Sequence, residues 1–206
     1  MTRADVPKRV DGRTARAERT REAIVTAHLE LIGEGDLRPT GERIAERAGV
    51  SLRALWTNFK DMETLFEASG VRVLAQQDAV YQKIPSSLPL PERIDAFCRQ
   101  RAELLQLIAP AALAAAMRAP VSAQLRRNRA VHIDRVRAEV EELFAAELEM
   151  AGPGREELLN AVVAATTWSA WSMLRDGLGL DPEAARAVLA RTVRALLING
   201  ITAGLG

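Results

Sequence analysis

Hydrophobic positions recur at three- and four-residue intervals along most of the chain. No stretch alternates convincingly with the period of two that marks a half-buried strand. Over 17–34, Ile24, Ala27, His28 and Leu31 fall at i, i+3, i+4 and i+7, with Val25 and Ile32 beside them. This spacing predicts one amphipathic helix, which Gly33 and Gly35 end. Thr40 follows Pro39 and is a candidate N-cap for a short helix to Ala48. Gly49 breaks it, and Ser51 can cap another helix to about Phe59. Asp61 can cap a fourth, longer helix to about Lys83, carrying Leu65 and Val73.

The stretch "PSSLPLP" at 85–91 is a linker, because Pro85, Pro89 and Pro91 cannot propagate a helix. Beyond it the pattern predicts helices over about 91–108, 110–118, 121–151, 154–177 and 182–204. The breaks fall at Pro110, Ala119-Pro120, Gly152-Pro153-Gly154, and Gly177-Leu178-Gly179 before Asp181-Pro182. No internal repeat is present. The expected fold class is all-α.

Composition narrows this further. Hydrophobic residues make up 48% of the 206 positions but aromatics only 4%, so the core must be mostly Ala, Leu, Val and Ile. A single cysteine, Cys98, excludes an internal disulfide framework and fits a reducing compartment. No apolar run reaches the roughly 20 residues of a membrane span, and the polar N-terminus has no apolar signal core. A cytoplasmic protein with no membrane partner is expected. Residues 1–60 hold 12 Lys/Arg against 9 Asp/Glu, while 61–206 hold 16 against 18. The first 21 residues carry Arg3, Lys8, Arg9, Arg13, Arg16, Arg19 and Arg21. A basic arm before a mildly acidic body points to nucleic acid, or simply to a solvated tail. Arg outnumbers Lys by 25 to 3, a bias that suits a GC-rich bacterial genome.

Enzyme chemistry has little material here. His28 and His132 are far apart in sequence, and Cys98 has no Cys neighbour. No metal site or cofactor is expected. The phosphate loop, the dinucleotide fingerprint and the nucleophile elbow are all absent.

Two short helices joined by a tight turn are what a helix-turn-helix needs. Ile44 and Ala45 lie on its first helix and Gly49 in the turn. Val50, Leu55 and Phe59 are the apolar anchors. Leu55 and Phe59 share a face at i, i+4, which leaves Leu52, Arg53, Trp56, Thr57 and Asn58 pointing outward. In DNA-binding versions that outer face enters the major groove. A helix-turn-helix also serves as a plain structural corner, and then Trp56 is half-buried on a satellite hairpin. On the first reading Leu52, Arg53 and Thr57 read base edges, with Arg53 paired to guanine. Thr40, Ser51, Trp56, Asn58 and Lys60 then hold phosphates, and the arm from Arg3 to Arg19 follows the backbone or enters the minor groove. The domain reading is a basic flexible arm over 1–16, a helix-turn-helix domain over 17–60, a connecting helix over 61–84 and a helical body over 85–206.

The segments "RTREAIVTAHLELIGEG" and "RIAERAGVSLRALWTNFKDMETLF" resemble the DNA-binding domain of TetR-family transcriptional regulators. The resemblance covers about 19–66 and runs through Ile24-Val25, Ala27, Ile32, Gly35, Ile44-Ala45, Ala48-Gly49-Val50-Ser51, Leu55, Phe59, Glu63 and Leu65. It implies a homodimeric repressor whose C-terminal domain holds a pocket for a small-molecule effector. Three positions depart from the family pattern. Trp56 stands where Tyr is usual, Asn58 where His or Tyr is frequent, and Met62 where a phosphate-binding Lys is usual. Trp and Asn keep an N–H donor, whereas Met does not, so Lys60 or the amides at the start of the fourth helix would have to substitute. His28 stands where a small core residue is usual, and is expected to be a satisfied or partly buried histidine near the packing face of the first helix.

A sensor needs a pocket, mostly apolar with a few polar groups. The candidate walls are Phe97, Leu104, Met117, Val136, Phe144, Trp168, Trp171 and Met173. His132, Arg101, Arg118 and Thr167 are the polar candidates, and the effector is expected to be apolar or amphipathic. These same residues also read as ordinary core. Leu158, Leu159, Val162, Val163 and Thr166 line one side of the next-to-last helix, and Val188, Leu189, Val193, Leu196, Leu197 and Ile201 of the last supply more apolar surface than one packing face needs, which suits a two-fold dimer interface. The expected function is a homodimeric repressor that binds a pseudo-palindromic duplex operator and is released by its effector. The alternative is a ligand-independent DNA-binding or partner-binding helical protein whose C-terminal domain only dimerises.

Overall fold

The structure, a computed structural model, describes residues 12–204. Eleven α-helices lie among them, with no strand. The chain divides into two compact units, one ending at Arg72 and the other beginning at Val73. The division falls inside a helix, not at the proline-rich stretch.

The first unit holds α1 (Gly12–Gly33), α2 (Gly41–Arg47), α3 (Leu52–Asn58) and the first half of α4 (Met62–Val80). Helix α1 begins five residues earlier than its periodicity predicts, so Arg13 and Arg16 lie on the helix and not in a flexible arm. The expected arm residues Arg3, Lys8 and Arg9 lie outside the described residues. Ile24, Val25, Ala27 and Leu31 of α1, Ile44 and Ala45 of α2, Leu55 and Phe59 at α3, and Leu65 of α4 close one core. Val50 and Met62 pack on its edge, half-buried. His28 is buried, with Nδ1 2.8 Å from Ser69 Oγ and its ring 5.8 Å from that of Phe66. It is the satisfied core histidine the sequence suggested.

The second unit holds the rest of α4, α5 (Leu90–Leu107), α6 (Ala109–Arg118), α7 (Ala123–Leu143), α8 (Ala145–Met150), α9 (Arg155–Ala165), α10 (Trp168–Ser172), a π-helical turn at Met173–Gly177, and α11 (Pro182–Gly204). Helix α11 packs against α5, α8 and α9. Phe97 and Phe144 meet edge to face in the centre, with centroids 5.4 Å apart.

Two helices predicted as continuous are broken. The segment 121–151 breaks at Phe144, whose φ of −114° and ψ of 26° leave the helix while its side chain becomes fully buried. A buried arginine takes up the freed backbone. Arg93 Nη1 donates to the Leu143 carbonyl at 2.6 Å, and its guanidinium grips Glu147 of α8 through two further bonds of 2.9 and 2.6 Å. The segment 154–177 breaks at Thr166–Thr167. The Thr166 hydroxyl donates back to Val162 and Val163, a habit that competes with the helix ladder. Arg101 Nη2 donates to the Thr166 carbonyl. Hydrophobic periodicity carries no trace of either break.

Removing one partner of a buried ion pair strands the other charge. Glu147→Ala is therefore expected to lower unfolding free energy by about 3–5 kcal/mol. Urea denaturation reads this directly, and a loss below about 1 kcal/mol would show that the pair is not what holds the α7–α8 corner.

Candidate nucleic-acid interface

The turn between α2 and α3 is built from its carbonyls. Val50 N–H donates to Ala45 O and Gly49 N–H to Glu46 O, the pair of bonds that closes a helix with a left-handed residue. That residue is Gly49, at φ +66°, a conformation only glycine adopts without cost. The Ser51 hydroxyl then accepts from Ala54 N–H at 3.1 Å and starts α3. The Thr40 hydroxyl accepts from Arg43 N–H and starts α2.

Leu55 and Phe59 are buried, so the rest of α3 faces out. Leu52 is 36% and Trp56 39% exposed, and Arg53 and Thr57 are fully outward. Thr40, Ser51 and Lys60 are exposed around them. Asn58 is half-buried. Its side-chain amide donates to Ala54 O, and its carbonyl accepts from Arg21. Thus one of its two amide hydrogens is used within α3, and Asn58 is more a helix end than an outward donor. Thr57 donates its hydroxyl to Arg53 O at 2.7 Å, which turns the side chain back along its own helix.

Trp56 is not a free flag. A Cβ added at Gly41 would fall 2.6 Å from Trp56 Cζ2 and 3.3 Å from Leu52 Cδ1. The indole therefore lies across the first turn of α2, on the one residue type that admits it. Arg21 was also unreadable from sequence, where it counted only as part of a basic arm. Its guanidinium stacks 4.2 Å from the centre of the Phe59 ring and donates to the last carbonyl of α3. No short-range signal marks a contact across 37 residues.

Charge on this unit is sorted. Arg43 pairs with Asp36, Arg47 with Glu34 and Glu30, and Arg72 with Glu22. Arg53 makes no ion pair with a described residue, which leaves it available at the centre of the exposed face. Two acids sit at helix starts. Glu42 is held below the usual carboxylate range by its own backbone N–H and by the Thr40 hydroxyl. Asp61 is held low chiefly by the Thr64 N–H, to which it is bonded at 2.9 Å. The Thr64 amide at the start of α4 is thus already taken, and Met62 is half-buried against the core. Lys60 is the exposed cation beside that end.

In the second unit the expected wall residues separate. Phe97, Leu104, Val136, Phe144 and Trp171 are closed into the core, while Met117 and Met173 face outward. His132, Trp168, Thr167 and Arg118 are half-buried, and Arg101 is buried. Of the expected dimer residues, Leu158, Leu159, Val162, Val193 and Leu197 are buried within the single chain and Leu196 is half-buried. The apolar surplus of α11 is taken up by its three neighbours in the same chain. What α11 leaves outside includes Val188 and Ile198. Among the described residues no group of three His, Cys, Asp or Glu is placed to hold a metal ion, and no single helix is long and apolar enough to cross a membrane. The Cys98 thiol is pushed up to about 12, chiefly by burial.

The chain is similar in fold to a transcriptional regulator from Rhodococcus sp. Rha1, at a TM-score of 0.65 and 18% identity, over 89% of this chain and 96% of that one. No protein-family model matches the chain, and no curated protein matches it.

A Cβ at Gly41 would overlap the Trp56 ring, so Gly41→Ala is expected to lift Trp56 from its seat and to lower the melting temperature slightly through the lost packing. Acrylamide quenching in a background with Trp168 and Trp171 replaced by Phe would report this. Unchanged quenching would show that the indole does not depend on Gly41.

Proposed function

We propose that the chain is a DNA-binding transcriptional regulator of the TetR type: a homodimeric repressor that binds a pseudo-palindromic operator and leaves it when a small molecule binds the second unit. The observation that carries this is the exposed face of α3. Leu52, Arg53, Trp56 and Thr57 stand out from a helix whose opposite side is locked by Leu55 and Phe59, and Arg53 is left without a counter-ion among the described residues. The likeness in fold to a transcriptional regulator and the TetR-like segment over 19–66 support the same reading.

In this reading Arg53 reaches guanine, and Leu52 and the Thr57 methyl touch thymine methyls. Thr40, Ser51, Trp56 and Lys60 set register on phosphates, with Asn58 a lesser contributor. Two-fold symmetry sets the two α3 helices about one DNA turn apart, ~34–36 Å. The second copy docks on the outer side of α11 and its neighbours, since the inner side is occupied. An effector that favours another helix spacing weakens DNA binding, and DNA weakens effector binding by the same factor. The closed packing of Phe97, Val136, Phe144 and Trp171 favours one other reading, in which the second unit only dimerises and senses nothing. A thermal-shift screen separates the two, because only a sensor is stabilised by a small molecule.

A gel shift of the purified protein on the DNA upstream of its own gene, across a salt series, tests the regulator reading. A specific band at low salt is expected, and its absence would count heavily against autoregulation. Arg53→Ala is expected to relax preference at one base position by about 1–3 kcal/mol. Equal weakening on every sequence would remove its base-reading role. Met62→Lys is expected to steepen the salt dependence by roughly one unit of slope, by adding a phosphate contact.

A further inference from the structure

Two arginines are buried in the second unit, and the fold treats them differently. Every nitrogen of Arg93 has a partner: Nε donates to Leu88 O, Nη1 to Leu143 O and Glu147 Oε2, and Nη2 to Glu147 Oε1. This is how the fold satisfies a purely structural guanidinium. Arg101 is 6% exposed, yet it is incompletely met. Nη2 donates to Thr166 O at 3.2 Å, while Nε has no partner. Its acid is Glu139, whose Oε2 stands 3.9 Å from Nη1, beyond hydrogen-bonding reach.

Glu139 is held away from closing that gap. Its Oε1 accepts from Gln100 Nε2 at 3.2 Å, and Gln100 Oε1 accepts in turn from the Gln82 backbone N–H at 2.8 Å. Arg135, the other cation facing this place, is paired with Asp78. His132, on α7, is half-buried. Burial first, and then the two cations, push it down to about 4, so it is neutral at pH 7. Burial also pushes Arg101 down and Glu139 up, more than their mutual attraction restores. The pair is poorly made on both sides.

We propose that Arg101 anchors a binding subsite for the carboxylate of an organic acid. The proposal rests on reading the second unit as a sensor, and it names the ligand class. Nε and Nη2 lie along one edge of the guanidinium, and Nη2 keeps a second hydrogen beyond the one given to Thr166. That edge suits a planar carboxylate in the forked geometry arginine favours. Folding has already desolvated the cation, so the arriving anion finds it prepared. Because Arg101 also holds the Thr166 carbonyl at the α9–α10 break, drawing its guanidinium toward a ligand couples the site to that break.

The test uses octanoate and benzoate against octanamide and benzamide at pH 7, read on the full chain by thermal shift and calorimetry. Both acids are expected to raise the melting temperature, and the amides are not. Arg101→Gln should abolish the effect but also removes the bond to Thr166, so Glu139→Gln is the deciding variant. It removes the competing acid and keeps a group for Gln100 to bond. It is expected to tighten octanoate binding by roughly tenfold, the scale of one charge-assisted contact. Equal stabilisation by amides, an unchanged octanoate affinity in Glu139→Gln, or no acid binding to either protein would each overturn the site. These readouts need no DNA. Acid binding without any gel shift would count against the autoregulating-repressor reading and leave the site standing, and a gel shift without acid binding would do the reverse.

Discussion

The burial of Leu55 and Phe59 is the constraint on which the candidate interface depends. Helix α3 has seven residues, far short of the roughly 12–15 an isolated helix needs in water. It exists because two side chains at i, i+4 reach the core of the first unit. Once they are inside, the turn of about 100° per residue sends Arg53 and Thr57 the other way and Trp56 to the flank. Arg21 then secures the far end of the helix, stacked on Phe59 and bonded to Asn58 O. The orientation of the outward face is thus set from α1, more than thirty residues upstream.

Arginine performs several distinct jobs in this chain, and the partner decides which. On the first unit Arg43, Arg47 and Arg72 meet acids of α1 or of the loop after it, while Arg53 and Lys60 on and beside the α3 face make no ion pair with a described residue. In the second unit two arginines sit where a helix is interrupted. Arg93 meets the carbonyl released at Leu143, and Arg101 the carbonyl at Thr166. A buried carbonyl without a donor is costly, so each interruption is tolerable because a guanidinium reaches it. Arg93 is fully satisfied in doing so and Arg101 is not.

Much of the helical layout was legible because it is local. The caps at Thr40, Ser51 and Asp61, the left-handed Gly49 and the linker prolines Pro85 and Pro89 are each read from a few adjacent residues, and each stands where the pattern put it, whereas Pro91 falls in the first turn of α5. The breaks at Phe144 and Thr166 were not legible. Phe144 looks like any apolar helix position until Phe97 and Arg93 are brought to it from another helix. The early start of α1 was missed for the opposite reason: its first turns are polar and carry no periodic stripe. The apolar excess of α11 was visible, but its destination was not. A sequence counts apolar faces without saying whether a neighbour or a second copy covers them.

By itself the sequence determined the helical class, the turn that sets α2 against α3, and which α3 residues go inside. Helical period and capping chemistry act over four or five residues, and no later folding can move Leu55 and Arg53 to the same face. Only the tertiary structure decided that Trp56 rests on Gly41, that Arg21 holds the end of α3, that Leu159, Val162 and Val193 belong to the chain's own core, and that Arg101 is buried with an unmet N–H. Each of these joins positions separated by between fifteen and about a hundred residues. Such contacts depend on how helices pack, which no short window of sequence contains.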